Sequence, residues 1–125
     1  MVGVRPDPTR LPSVAAEAVQ ASLTEGDPLQ VSAISAWEVA MLVERGRLEL
    51  TLDVEEWIGR SHAAPELDFV PVDPWIAVRS VRLGGFPHRD PADRIIVATA
   101  LTHDATLVTA DARLQGYDAV TTLWG

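Results

Sequence analysis

Residues 88–111 read "HRDPADRIIVATALTHDATLVTAD". The run 91–103 is an apolar helix-like segment opened by Asp90-Pro91, with proline at the first helical position. "TLVTA" (106–110) is short and rich in β-branched residues, as a buried strand would be. A helix that enters a strand through so short a turn must run antiparallel to it. The first turn of the helix, which carries Asp93, then lies near the far, carboxyl end of the strand, where Asp111 follows. Thirteen helical residues cover about 20 Å and five strand residues about 16 Å, so the two lengths are compatible.

The same alternation extends through the chain. Ser13 reads as the N-cap of a helix over 14–24, with Gly26 just beyond its end. "LQVSAI" (29–34) reads as a strand, and "AWEVAMLVER" (36–45) as a helix stopped by Gly46. Asp53 and Glu56 make a capping-box-like start for a helix over 54–63. "LDFVPV" (67–72) reads as a strand, Asp73-Pro74 opens a helix over 74–83, and Gly84, Gly85 and Pro87 mark a loop. "AVTTLW" (119–124) reads as the last strand. Short apolar strands separated by helices predict one α/β domain over residues 1–125 with a mostly parallel sheet. Sites in such sheets gather at the carboxyl ends of the strands.

That edge selects three acids. Glu38 lies four residues beyond Ile34, at the end of the 29–34 strand, Asp93 starts the longest helix, and Asp111 follows the 106–110 strand. Carboxylates brought together repel and destabilise the fold. A hard divalent cation such as Mg²⁺ or Mn²⁺ removes the penalty, because it prefers oxygen ligands and keeps waters that a phosphate can displace. Each acid also has a plainer reading. Asp90 alone reads as an N-cap, and Asp-Pro occurs four times in the chain. Asp93 falls at the third helical position, where any acid favours the helix dipole. Asp111 alone reads as a turn or cap residue. Glu38 is harder to explain away: Ile34, Met41 and Leu42 are its helical neighbours, and a carboxylate in that company needs a partner.

Composition narrows the classes. The 125 residues are 47% hydrophobic with a net charge of −8, so the chain is globular and not a simple phosphate neutraliser. Nucleic acid would be met through a cation or local arginines; all ten basic residues are arginine. The absence of cysteine excludes disulfides and thiolate metal sites and fits a cytoplasmic protein. No apolar run approaches the ~18 residues that cross a membrane, and the opening "MVGVRPDPTR" lacks the apolar core of a secretory signal. His62, His88 and His103 have no zinc spacing, and there is neither a nucleophile elbow nor a phosphate-cradling P-loop. Trp37, Trp57, Trp75 and Trp124 are spread over separate elements and read as core or interface anchors rather than a base-stacking platform. A phosphoacceptor receiver domain also clusters acids at a sheet edge, but that chemistry uses a lysine, and this chain has none.

"VSAISAWEVAMLVERGRLEL", "HRDPADRIIVATALTHDATLVTAD" and the ending "VTTLW" resemble the PIN-domain family, more narrowly the VapC-like toxins of type II toxin–antitoxin systems. The resemblance runs from "DPTRLP" to Trp124 and implies a three-layer α/β/α fold with a carboxylate pocket for Mg²⁺ or Mn²⁺. It also implies endoribonuclease activity on single-stranded RNA, a homodimer, and neutralisation by a cognate antitoxin. Glu38, Asp93 and Asp111 match the family's second, third and fourth acids, and Asp90 belongs to a peripheral "RDP" element. Arg89 and Arg94 flank the pocket as candidates to meet RNA phosphate, and Arg94 could equally pair with a neighbouring acid.

The family's first strand, central in the sheet and ending in the first metal-binding aspartate, has no counterpart in "MVGVRPDPTRLP"; Asp7 aligns with a later loop. Without that strand, its two neighbours would face a gap. Either the true start lies upstream of Met1, which the undecayed pocket acids favour, or the chain is a remnant. The remnant would be catalytically impaired, able only to dimerise or bind an antitoxin.

Overall fold

A computed structural model describes residues 13–86, 89–109 and 111–124. The elements, in chain order, are α1 (Ser13–Thr24), β1 (Leu29–Ser32), α2 (Ile34–Glu44), α3 (Val54–Ala63), β2 (Leu67–Val70), α4 (Pro74–Val81), α5 (Pro91–Thr102), β3 (Leu107–Val108), α6 (Ala112–Gln115) and β4 (Thr122–Leu123). The α/β alternation is as expected, and every described strand pair is parallel: β1 with β2, Leu29 opposite Leu67, and β3 with β4, Leu107 opposite Thr122.

The helix boundaries follow local chemistry. Asp53, Asp73 and Asp90 cap α3, α4 and α5 as expected. Asp73 accepts from the Ile76 amide at 2.8 Å and Asp90 from the Ala92 amide at 2.9 Å. The capping box at α3 does not close: Asp53 accepts from the Glu55 amide, while Glu56 pairs with Arg60 one turn on, at 2.9 Å. α2 ends at Glu44, and just beyond it the positive φ of Gly46, 68°, lets the Arg47 amide donate back to the Leu42 carbonyl. α1 already includes Ser13, so this residue is helical rather than its cap. The expected loop residues Pro87 and His88, like Asp7, lie outside the described residues.

The strands are shorter than the sequence suggests. Pro71 has no amide to donate and β2 stops at Val70. β1 stops at Ser32 because α2 begins at Ile34, two residues earlier than expected, with the Ile34 amide donating to Ser32 Oγ. β3 and β4 pair over two residues only. The short helix α6 was not foreseen, although Asp111 and Gly116 bracket it as cap residues. Nor are the tryptophans core residues: Trp37 and Trp75 are exposed, and Trp57 and Trp124 are half-buried.

α5 is the spine of the molecule. Ala98 packs with Val70 and Ile76, joined by Ile95 and Val72, on the β2–α4 side. Ile96, Val97 and Ala100 pack with Phe86, Leu107, Leu114, Tyr117 and Val120 on the β3–β4 side. A helix apolar on both flanks is one that two layers cover, and each fully buried Val, Ile or Leu contributes roughly 1.5–3 kcal/mol. Among the described residues β1 pairs with β2 and β3 with β4, and α5 packs against both pairs.

Candidate functional site

α5 opens with Asp90 outside and Asp93 inside. Asp90 is exposed and spends Oδ1 on the amides of Ala92 (2.9 Å) and Asp93 (3.3 Å), which is the capping role expected of it. Asp93, one turn on, is only 1% exposed. A helix start supplies partial positive charge to a carboxylate there, but an acid buried this deeply also needs partners, and Asp93 is engaged in further interactions.

Glu38 lies half-buried in the second turn of α2, with Trp37 exposed beside it and Met41 half-buried three residues on. Its Oε1 atom is shielded from water, and the side chain is engaged. α2 packs against α5, which sets the helix bearing Glu38 against the helix bearing Asp93.

Asp111 is fixed by three contacts at the start of α6. Its Oδ1 accepts from the Arg113 amide at 2.8 Å and lies 3.6 Å from Arg113 Nε, and its own amide donates to Thr109 Oγ1 at 3.1 Å. Gln115 Nε2 also donates to the Thr109 carbonyl at 2.9 Å, which closes the turn. The cap reading of Asp111 is therefore realised. Thr109 and Arg113 as its positioning residues were not foreseen, although the Asp-x-Arg spacing is that of a residue capping its own turn.

Residues near each acid pack into one core cluster: Ile34, one turn before Glu38, Ile96, three residues after Asp93, and Leu114, three residues after Asp111. The donor chemistry suits a hard cation, since every candidate ligand is a carboxylate. The described residues alone do not complete a metal site: no group of three or more His, Cys, Asp or Glu side chains among them is placed to hold an ion.

The two arginines separate. Arg89 is exposed beside Asp90. Arg94 is half-buried, donates Nη1 to the Ser80 carbonyl at the end of α4 (3.1 Å), and places its guanidinium carbon 5.5 Å from the centre of the Phe86 ring. These contacts clamp α4 to α5 and give Arg94 a structural duty.

Residues 9–120 match the PIN domain family. The chain is also similar to Ribonuclease VapC22 of Mycobacterium tuberculosis (strain ATCC 25618 / H37Rv): 37% of 111 aligned residues are identical, covering 89% of this chain and 81% of that protein.

Proposed function

The chain belongs to the PIN domain family, and on that premise we propose that it is a metal-dependent endoribonuclease, the toxin of a toxin–antitoxin pair. The observation that carries this reading is the burial of Asp93, a carboxylate sealed into the first turn of α5, the helix whose core cluster also takes in Ile34, one turn before Glu38, and Leu114, three residues after Asp111. Glu38, Asp93 and Asp111 would hold Mg²⁺ or Mn²⁺, directly or through water. When bound, such an ion activates water and stabilises charge at a phosphodiester. The chain's own residues supply the rest. Arg113 and Thr109 hold Asp111 in place, Asp90 fixes the helix start that presents Asp93, and the exposed Arg89 meets RNA phosphate. The acidic pocket would attract cations, so an antitoxin could block it with a basic side chain. The toxin would act in the cytoplasm as a homodimer; no helix among the described residues is long and apolar enough to cross a membrane.

We further infer that the site needs a strand between β1 and β3. Leu29 and Ala33 donate their amides to the β2 side, which directs the peptide groups of Gln30 and Ser32 away from it. Leu107 and Thr109 donate towards β4, which directs those of Val108 away. Ser32 and Val108 are each 1% exposed, and buried peptide groups require partners. An apolar strand ending in an acid, placed between β1 and β3, would add a ligand to the site. The second reading is a catalytically impaired module that pairs and binds an antitoxin.

Cleavage of single-stranded RNA by the full chain, with Mg²⁺ or Mn²⁺ and with chelator, separates the two. The nuclease reading expects metal-dependent cleavage that Asp93→Asn reduces by at least ~100-fold. Equal background cleavage by both proteins would leave only the binding module.

A further inference from the structure

The loop between α4 and α5 is pinned at its middle. Gly84 and Gly85 are exposed, yet the chain then turns inward: Gly85 takes a positive φ of 69°, and Phe86 beside it is only 8% exposed. Two distant side chains meet the loop there. Tyr117, beyond α6, donates its hydroxyl to the Gly84 carbonyl at 2.8 Å and meets the Phe86 ring edge-on, with centroids 5.0 Å apart. Arg94 of α5 sets its guanidinium carbon 5.5 Å from the centre of the same ring and donates to the Ser80 carbonyl of α4 at 3.1 Å. Leu83 packs at the margin of the cluster that holds Phe86 and Tyr117.

The Tyr117 hydroxyl is not required by the Gly84 carbonyl. Gly84 is exposed, and water would serve that carbonyl nearly as well. The core place of the Tyr117 ring would be filled equally by phenylalanine. What the hydroxyl adds is a fixed point in the loop. Arg89 follows three residues after Phe86, exposed, and Asp90 then caps α5. Three residues span at most about 10 Å, so an anchor at Phe86 limits where the backbone of Arg89 can stand.

We propose that Tyr117 is a positioning residue for RNA binding, which holds the loop so that Arg89 is set beside the start of α5 before an RNA strand arrives. The inference rests on the nuclease reading above and adds to its site a residue from the far end of the chain. The reason is entropic. A guanidinium on a loose loop must be ordered when phosphate binds, which weakens binding, whereas one already held loses little. A chain of net charge −8 repels a polyanion at long range, so the arginine that meets phosphate gains most from being held. Tyr117 acts through Gly84 and Phe86 and touches neither metal nor RNA. A merely structural tyrosine has a different signature: its loss lowers the folded fraction, and with it the apparent kcat, while KM stays unchanged.

A double-mutant cycle on Tyr117→Phe and Arg89→Ala tests the assignment, read as cleavage of a fluorescein-labelled single-stranded RNA with Mn²⁺ and as anisotropy of the same RNA with Ca²⁺. Each single variant, with a circular dichroism spectrum like that of wild type, is expected to raise KM by at least ~5-fold with kcat within about two-fold. The double variant is expected to go no further than Arg89→Ala alone, because a loop without its arginine has nothing left to position. An unchanged KM in Tyr117→Phe, or effects that multiply in the double variant, would overturn the positioning role and leave the nuclease reading standing. If wild type cleaves no RNA, the nuclease reading falls, and the anisotropy cycle decides the positioning role alone: non-additive losses of affinity uphold it and additive ones overturn it. Wild-type protein that neither cleaves nor binds RNA would overturn both.

Discussion

Asp90 and Asp93 stand three residues apart on one helix and differ in everything but charge. Asp90 is exposed and holds two backbone amides, whereas Asp93 is sealed inside. Substitutions should therefore separate them. Asp90→Ala is expected to cost about 1 kcal/mol in chemical denaturation, the usual value of a lost cap, and Asp90→Asn, which still caps, close to nothing. Both should retain RNA cleavage within a few-fold, while Asp93→Asn abolishes it. Asp111 combines the two duties, since it caps α6 and is a candidate ligand. Asp111→Asn keeps the cap acceptor and removes the charge, so it should fold with unchanged stability and lose cleavage. Loss of stability without loss of cleavage would make Asp111 a cap alone. The capping roles were legible because an Asp-Pro start has a local cause. The burial of Asp93 was legible only as the apolar company on its helix. The contacts of Arg94 with Ser80 and Phe86 were not legible at all, because α4 meets α5 through tertiary packing rather than along the chain.

At the scale of elements, helices were read to within a residue or two where a cap or a glycine punctuated them. Strands were read too long, because an apolar β-branched run extends as a strand only as far as it finds a neighbour. "TLVTA" finds one over two residues. α6 was missed because four residues give too little periodicity to see. The loop between α4 and α5 is held by Tyr117, whose hydroxyl donates to the Gly84 carbonyl at 2.8 Å while its ring meets Phe86 edge-on, with centroids 5.0 Å apart. Tyr117→Phe keeps the ring and removes the bond, and is expected to lower stability by about 1 kcal/mol.

The whole molecule is acidic and is read here as acting on a polyanion. That combination makes the cation central: it offsets repulsion among the pocket acids and gives RNA phosphate something to bind. With few arginines to release counterions, RNA affinity should depend only weakly on monovalent salt and steeply on the divalent ion. The acids that would hold this ion come from three segments of the chain, whose neighbours Ile96, Leu114 and, at its margin, Ile34 share one core cluster. Mn²⁺ binding, followed by electron paramagnetic resonance on the full chain and on Glu38→Gln, Asp93→Asn and Asp111→Asn, tests that convergence most directly. One bound ion is expected in the wild type, with affinity lowered at least ~10-fold by each substitution. Mn²⁺ binding left unchanged by any of the three would contradict a shared site.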